Sequence, residues 1–113
     1  MIDAKSPRRY RATPAEWREI RAHFADDECW VCGDSWAELH HILNRSHSGD
    51  DVPVNLAPLC GDCHRRVEAR DPYARSQIRS ALMPSNLAYL RYHLGDNVDG
   101  WLERNYAVAE AAA

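Results

Sequence analysis

Long apolar runs are missing from this 113-residue sequence, and so is any strong excess of charge of one sign. No stretch approaches the roughly 20 consecutive apolar residues that a bilayer-spanning helix needs, which argues against a membrane partner. Residues 1–11 are polar and basic with no apolar core, so a secretory signal is not expected. No internal repeat is visible, which excludes a solenoid or array. No helix-turn-helix or other separate recognition module can be read. A net charge of −3 excludes a uniformly basic nucleic-acid binder.

The charge that is present is unevenly placed. Residues 1–22 carry six basic and three acidic side chains, and residues 64–79 carry five basic and two acidic ones. Between them, residues 23–63 hold eight acids against the single Arg45. Two basic segments therefore flank an acidic, metal-friendly centre, and local basic faces are what contact phosphates.

The length suits one domain with a modest core. Four cysteines come as two Cys-x-x-Cys pairs, Cys29/Cys32 and Cys60/Cys63. At this spacing, in a chain expected to stay in the reducing cytoplasm, they predict a metal site rather than disulfides. Four thiolates fill a tetrahedral shell and leave no position for water, so the expected ion is a structural Zn²⁺ that supplies folding free energy to a small core. A redox role fits two pairs plus several histidines less well.

Along the chain, residues 1–12 read as a basic arm in which Arg8, Arg9 and Arg11 are candidates for DNA phosphates. Thr13-Pro14-Ala15-Glu16 is a helix start with a capping box, and Trp17, Ile20 and Phe24 form a face expected to pack on the cysteine-bearing centre. Gly33 supplies a positive φ after the first pair, and Trp30 and Trp36 are expected to shield the metal. Strands are predicted over 38–43 and 56–59, with a long loop over 44–54 and a helix from Asp62 to Arg70. Asp71-Pro72 starts another helix, residues 84–94 a further one closed by Gly95, and Trp101, Leu102 and Tyr106 mark a last short helix folding back. The expected organisation is an arm over 1–12, one domain over 13–106 (core 27–70, helical extension 71–106) and a tail over 107–113. The extension is expected to be scaffold without chemistry.

Leu39-His40-His41-Ile42, then Asn55-Leu56, then Cys60-x-x-Cys63-His64, preceded by Cys29-x-x-Cys32, resembles the HNH endonuclease family over about residues 27–68. The flanks resemble small HNH proteins encoded by bacteriophages. The resemblance implies an α+β fold, a ββα-metal core of a two-stranded hairpin and a helix with helices at both ends. It also implies a divalent-metal DNA endonuclease acting in the cytoplasm of a bacterial host. Carried over residue by residue, His41 is the general base on a water, Asn55 holds the loop and the base, and His64 ligates the catalytic metal. His40 stands where many members have aspartate as the second ligand. Two imidazoles favour Zn²⁺, Ni²⁺, Co²⁺ or Mn²⁺ over Mg²⁺.

The residues support the same chemistry on physical grounds. Phosphodiester hydrolysis needs a positioned nucleophile and neutralisation of charge on the nonbridging and leaving oxygens. A neutral imidazole and a metal could supply these, leaving 5′-phosphate and 3′-hydroxyl ends. A regular strand, however, points His40 and His41 to opposite faces. Either the chain twists or bulges there, or one of the two imidazoles serves elsewhere. Arg45, Arg65 and Arg66 are candidate phosphate contacts, whereas Asp50 and Asp51 read as turn residues beside Gly49. His47 is a weaker ligand candidate, and His23 and His93 read as surface or structural. The expected partner is double-stranded DNA, recognised with low sequence specificity by a monomer or weak dimer, with packaging or recombination proteins as candidate associates. The competing reading is a non-catalytic zinc module that binds DNA or protein.

Overall fold

Thr13 caps the first helix through both halves of a capping box: its hydroxyl accepts from Glu16 N–H, and Glu16 returns a bond to Thr13 N–H. Helix α1 (Pro14–His23) follows. In the computed structural model, which describes residues 10–109, α1 leads into a cysteine-bearing turn and then strand β1 (Glu38–His41). Strand β2 (Leu56–Leu59) and helix α2 (Gly61–Glu68) complete a ββα unit. Helices α3 (Pro72–Ala81), α4 (Pro84–Leu94) and α5 (Val98–Asn105) close the described chain. Three-residue 3-10 turns at Arg45–His47, Pro53–Asn55 and Gly95–Asn97 fill the connections. The fold is α+β, as expected, and no helix among the described residues is long and apolar enough to cross a membrane.

The hairpin is antiparallel and regular, pairing His40 with Ala57 and His41 with Leu56. Alternation along it divides the core in two. Leu56 and Leu39 face α1, where Ile20, Phe24, Trp17 and Trp36 form one cluster. Ala57 and Leu59 face the other way, into a larger cluster with Val67, Ile78, Leu90, Leu102 and Tyr106. Each fully buried aliphatic side chain here contributes roughly 1.5–3 kcal/mol. The long loop between the strands is pinned by a close approach at Gly49: a Cβ there would lie 1.8 Å from the Leu43 carbonyl oxygen, so only glycine fits.

Helix α1 packs on the hairpin of the cysteine-bearing centre, against Leu56 and Leu39. One expectation is corrected. Trp36 does not shield a metal: it stacks edge-on against Phe24, donates Nε1–H to the Phe24 carbonyl at 2.8 Å and lies beneath the Arg21 guanidinium. An indole with a buried donor goes where its N–H finds an acceptor, and the C-terminus of α1 offers one. Trp30 does pack against the cluster that contains the cysteines. Arg8 and Arg9, with the rest of the arm up to residue 9, lie outside the described residues, as do residues 110–113 of the tail.

Candidate functional site

The four thiols meet because two tight structures face each other. Cys29 and Cys32 bracket a turn in which Gly33 adopts φ +79° and its N–H bonds the Cys29 carbonyl at 2.9 Å. Cys60 is the N-cap of α2, its sulfur accepting from Cys63 N–H at 3.4 Å, so Cys63 comes round in the first turn. The sulfurs of Cys29, Cys32, Cys60 and Cys63 all lie within 4.8 Å of one another, and none is in a disulfide. Cys32 and Cys60 Sγ are 3.8 Å apart. A tetrahedral shell with metal–sulfur bonds of about 2.3 Å has an edge of about 3.8 Å, so the four thiols fit a tetrahedral ion. Burial raises the Cys29 thiol, but backbone bonds from Cys32, Cys60 and Val31 outweigh it and bring the pKa to about 7. Burial and then the neighbouring thiols push Cys63 the opposite way. Four thiolates in this space therefore call for a cation to neutralise them.

A second donor cluster lies at the start of α2. One donor atom each from His40, His64 and Glu68 fall within 4.8 Å of one another. Glu68 stands one helical turn after His64, with Oε1 3.3 Å from His64 Nε2 and 3.5 Å from His40 Nδ1. With bonds of about 2.1 Å, donor–donor edges of about 3.0–3.4 Å are expected for octahedral or tetrahedral shells, so this set fits a small divalent ion. His64 Nδ1 lies 2.7 Å from Glu38 Oε1, which orients the ring with Nε2 towards Glu68. His40 is only 3% exposed, and its Nε2 meets the Tyr106 hydroxyl at 2.8 Å. Burial, then the neighbouring His64, Arg75 and His41, push His40 down to about 3, so it is neutral and free to ligate.

His41 points to the other face of the strand, edge-on to Trp17 of α1, so no bulge brings the two histidines together. They meet nonetheless at one cleft of about 390 Å³, lined by Leu39, His40, His41, Asn44, Arg45, Ser46, His64 and Glu68. Three consecutive β1 residues line it and none of β2. His41 Nε2 is 2.8 Å from Asp51 Oδ1. Asp51 is 1% exposed; it also accepts from Ala12 N–H at 3.0 Å and faces Arg45 and Arg11. Burial raises its carboxyl, but Ala12, His41 and Arg45 outweigh this and hold it below the ordinary carboxylate range. It therefore accepts the His41 Nε2 proton and leaves Nδ1 as the basic nitrogen. Burial lowers the pKa of His41, opposed by Asp51 and assisted by Arg45 and Arg11, with a net shift downwards.

Asn55 is fully buried and ties the loop to the end of β1. Its Oδ1 accepts from Leu43 N–H at 2.8 Å, and its amide donates to the Leu43 and Asp50 carbonyls at 3.0 and 3.1 Å. Asp50 and Asp51 follow directly on Gly49, so Asn55 fixes the segment that delivers Asp51 to His41. Asp50 is held by the Tyr89 hydroxyl, Tyr10 N–H and His93.

His40, His41, His64 and Arg45 thus border one cleft. Arg65 and Arg66 do not line it: Arg65 pairs with Asp62, and Arg66 pairs with Asp71 at 3.0 Å and lies over Tyr73. Arg11 donates to the Gly49 carbonyl. His47 is exposed on a 3-10 turn outside the donor cluster, and His23 is exposed beside Phe24. Three residues of the site were not foreseen: Asp51, Glu68 and Tyr106. The spacing of His64 and Glu68, four apart on one helix, was the available signal for Glu68.

Residues 29–70 match the family model described as HNH endonuclease. The match runs from the first thiol pair through α2 and includes both donor clusters, His41 and Asp51. The match likens this segment to an HNH endonuclease domain. No curated protein and no solved structure matches the chain.

Proposed function

We propose that the protein is a metal-dependent endonuclease that hydrolyses phosphodiester bonds of double-stranded DNA, leaving 5′-phosphate and 3′-hydroxyl ends. One observation carries this reading: the His40, His64 and Glu68 donors converge within 4.8 Å on the same cleft that His41 borders, inside the segment that matches the HNH model. A zinc knuckle that only staples a fold has no use for this second cluster.

His41 is the general base. Asp51 takes its Nε2–H, so Nδ1 accepts a proton from water as the water oxygen attacks phosphorus and the P–O3′ bond breaks. The resulting imidazolium is stabilised by the Asp51 carboxylate, and the leaving 3′ oxygen acquires its proton from solvent. His40 Nδ1, His64 Nε2 and Glu68 would hold a divalent ion, which would supply charge neutralisation at the scissile phosphate. Adding a carboxylate to two imidazoles makes the site harder than the histidines alone, so Mg²⁺ joins Mn²⁺, Ni²⁺, Co²⁺ and Zn²⁺ as candidates. Asn55 keeps the loop, and with it Asp51, in register. Cys29, Cys32, Cys60 and Cys63 hold a structural Zn²⁺. Arg45 at the cleft contacts the phosphate next to the cut, and Arg65, Arg66 and Arg11 contact phosphates further along the duplex. Contacts of this kind read no base edges, which accords with low sequence specificity.

Nicking of supercoiled plasmid, measured across Mg²⁺, Mn²⁺, Co²⁺, Ni²⁺ and Zn²⁺, tests the proposal. Cleavage is expected with at least one ion and is expected to vanish in His41→Ala with the zinc content unchanged. No cleavage with any ion, or an unaffected His41→Ala, overturns it.

A further inference from the structure

Tyr106 ends α5, far outside the segment that matches the family model, yet its hydroxyl reaches the buried ring of His40. From this geometry we infer that Tyr106 is a positioning residue that locks His40 in its Nε2–H tautomer, presenting the Nδ1 lone pair to the ion. The inference rests on the metal-site reading above and names a residue on which that site depends.

The argument is one of proton counting. The Tyr106 hydroxyl lies 2.9 Å from the Ile42 carbonyl oxygen and 2.8 Å from His40 Nε2. A phenol has one proton and can also accept. The Ile42 carbonyl can only accept, and Ile42 is 1% exposed. The proton therefore goes to Ile42, and the phenolic oxygen accepts from His40 Nε2–H. The opposite choice, with the phenol donating to Nε2, forfeits the Ile42 bond and turns an Nδ1–H towards Glu68 at 3.5 Å, too long for a good hydrogen bond. Only the first arrangement leaves Nδ1 unprotonated on the side where His64 and Glu68 gather.

The phenol is itself held. The Arg75 guanidinium lies 5.1 Å from the centre of its ring. Arg75 Nη1 donates to the Asn105 carbonyl at 2.8 Å, and Arg79 Nη1 donates to the Tyr106 carbonyl at 3.1 Å. Two arginines of α3 thus clamp the end of α5, and α5 carries the hydroxyl to β1. His64 receives the complementary treatment from Glu38 at Nδ1. The two imidazoles are thereby held in opposite tautomers, so that a different nitrogen of each would be offered to an ion.

The test uses the full chain with one equivalent of Zn²⁺, which the four thiolates take first. Long-range ¹H–¹⁵N correlation spectra of the histidine rings are expected to show wild-type His40 with Nδ1 unprotonated and Nε2 protonated. In Tyr106→Phe that pattern is expected to be lost, and affinity for Mn²⁺, followed by electron paramagnetic resonance of the free ion, to fall about tenfold to a hundredfold. Leu102→Val, which loosens the same helix without touching the hydroxyl, is expected to lower the melting temperature while leaving tautomer and Mn²⁺ affinity in place. A protonated Nδ1 in the wild type overturns the inference without recourse to any variant. So does a Tyr106→Phe protein with unchanged tautomer and affinity. Full Mn²⁺ affinity in His40→Ala overturns the metal-site reading instead, and is distinguishable because Tyr106 is intact there.

Discussion

Asp51 Oδ1 lies 2.8 Å from His41 Nε2, and the carboxylate that makes this contact is buried while His41 borders the cleft. A buried acceptor of fixed charge decides which nitrogen of the ring carries the proton, and so which one can act as a base.

Replacing Asp51 with asparagine removes that decision. The amide can donate to Nε2 and stabilise the tautomer protonated at Nδ1, which has no lone pair to offer. Cleavage by Asp51→Asn is expected to fall by about 10²-fold or more, the usual scale for losing a general base. The Mn²⁺ affinity of the His40/His64/Glu68 cluster is expected to hold, because Asp51 contacts none of those three. Steady-state nicking rates and a metal titration on the same variant check both halves; a parallel loss of metal would assign Asp51 to the metal site instead.

His40 contributes to the acid limb of stability, beside His41 and Asp51, whose folded pKa values are also lowered. The His40 pKa is about 3 in the folded chain and about 6.5 when exposed, so between these values the unfolded chain binds more protons than the folded one. Stability therefore rises with pH through this window and falls on acidification, at a limiting slope on the order of 1.4 kcal/mol per pH unit for this one group. Urea unfolding between pH 7.5 and 5.5 reads the slope in a range mild enough to keep thiolate-bound metal in place. His40→Gln, which does not titrate, is expected to reduce the slope, His41 and Asp51 keeping their share, and a slope identical to wild type would mean that His40 titrates as it does in water.

The helix starts and the thiol pairs were legible from the sequence because their signals are local. The Thr13/Glu16 capping box, the Asp71-Pro72 start and the two thiol pairs each act within a few residues, and each appears in the structure where the pattern placed it. Glu68 was legible in principle from its helical spacing to His64. Asp51 was not: directly after Gly49 and Asp50 it reads as a turn residue, and only the closure of the loop through Asn55 brings it to His41. Trp36 was misassigned because proximity in sequence to Cys32 says nothing of where an indole N–H finds its acceptor. Tyr106 and His40 are 66 residues apart, and no periodicity links an α5 terminus to a strand edge. What escaped was long-range side-chain hydrogen bonding, which depends on how helices pack after they form.

Asn55 offers a separation of loop geometry from metal binding. Its three bonds satisfy Leu43 N–H and the Leu43 and Asp50 carbonyls in a fully buried setting. Asn55→Ala leaves those backbone groups without partners, at about 1–3 kcal/mol for each one that stays buried. The loop should open locally to hydrate them, carrying Asp51 away from His41. Hydrogen exchange at Leu43 N–H is expected to quicken, and nicking to fall towards the level of Asp51→Asn. Protected exchange with normal nicking would show that the loop holds without this amide.

The thiol cluster and the His64 cluster share α2, and this coupling gives the sharpest test of the brace. Cys60 caps the helix and Cys63 lies in its first turn, while His64 follows at once and Glu68 one turn later. Removing a Zn²⁺ held by the thiols is therefore expected to do more than lower stability: it should free the helix start that carries His64. Cys60→Ser, or stripping with a strong thiol-competing chelator, is expected to abolish the cooperative thermal transition, as in domains whose folding free energy is largely that of their metal. Mn²⁺ binding at the second cluster should disappear with it, although no ligand of that cluster has been changed. A variant that lost its zinc yet kept Mn²⁺ affinity and a normal melting curve would show that the hairpin and α2 hold His64 in place by apolar packing alone, through Val67, Leu59 and Ile78.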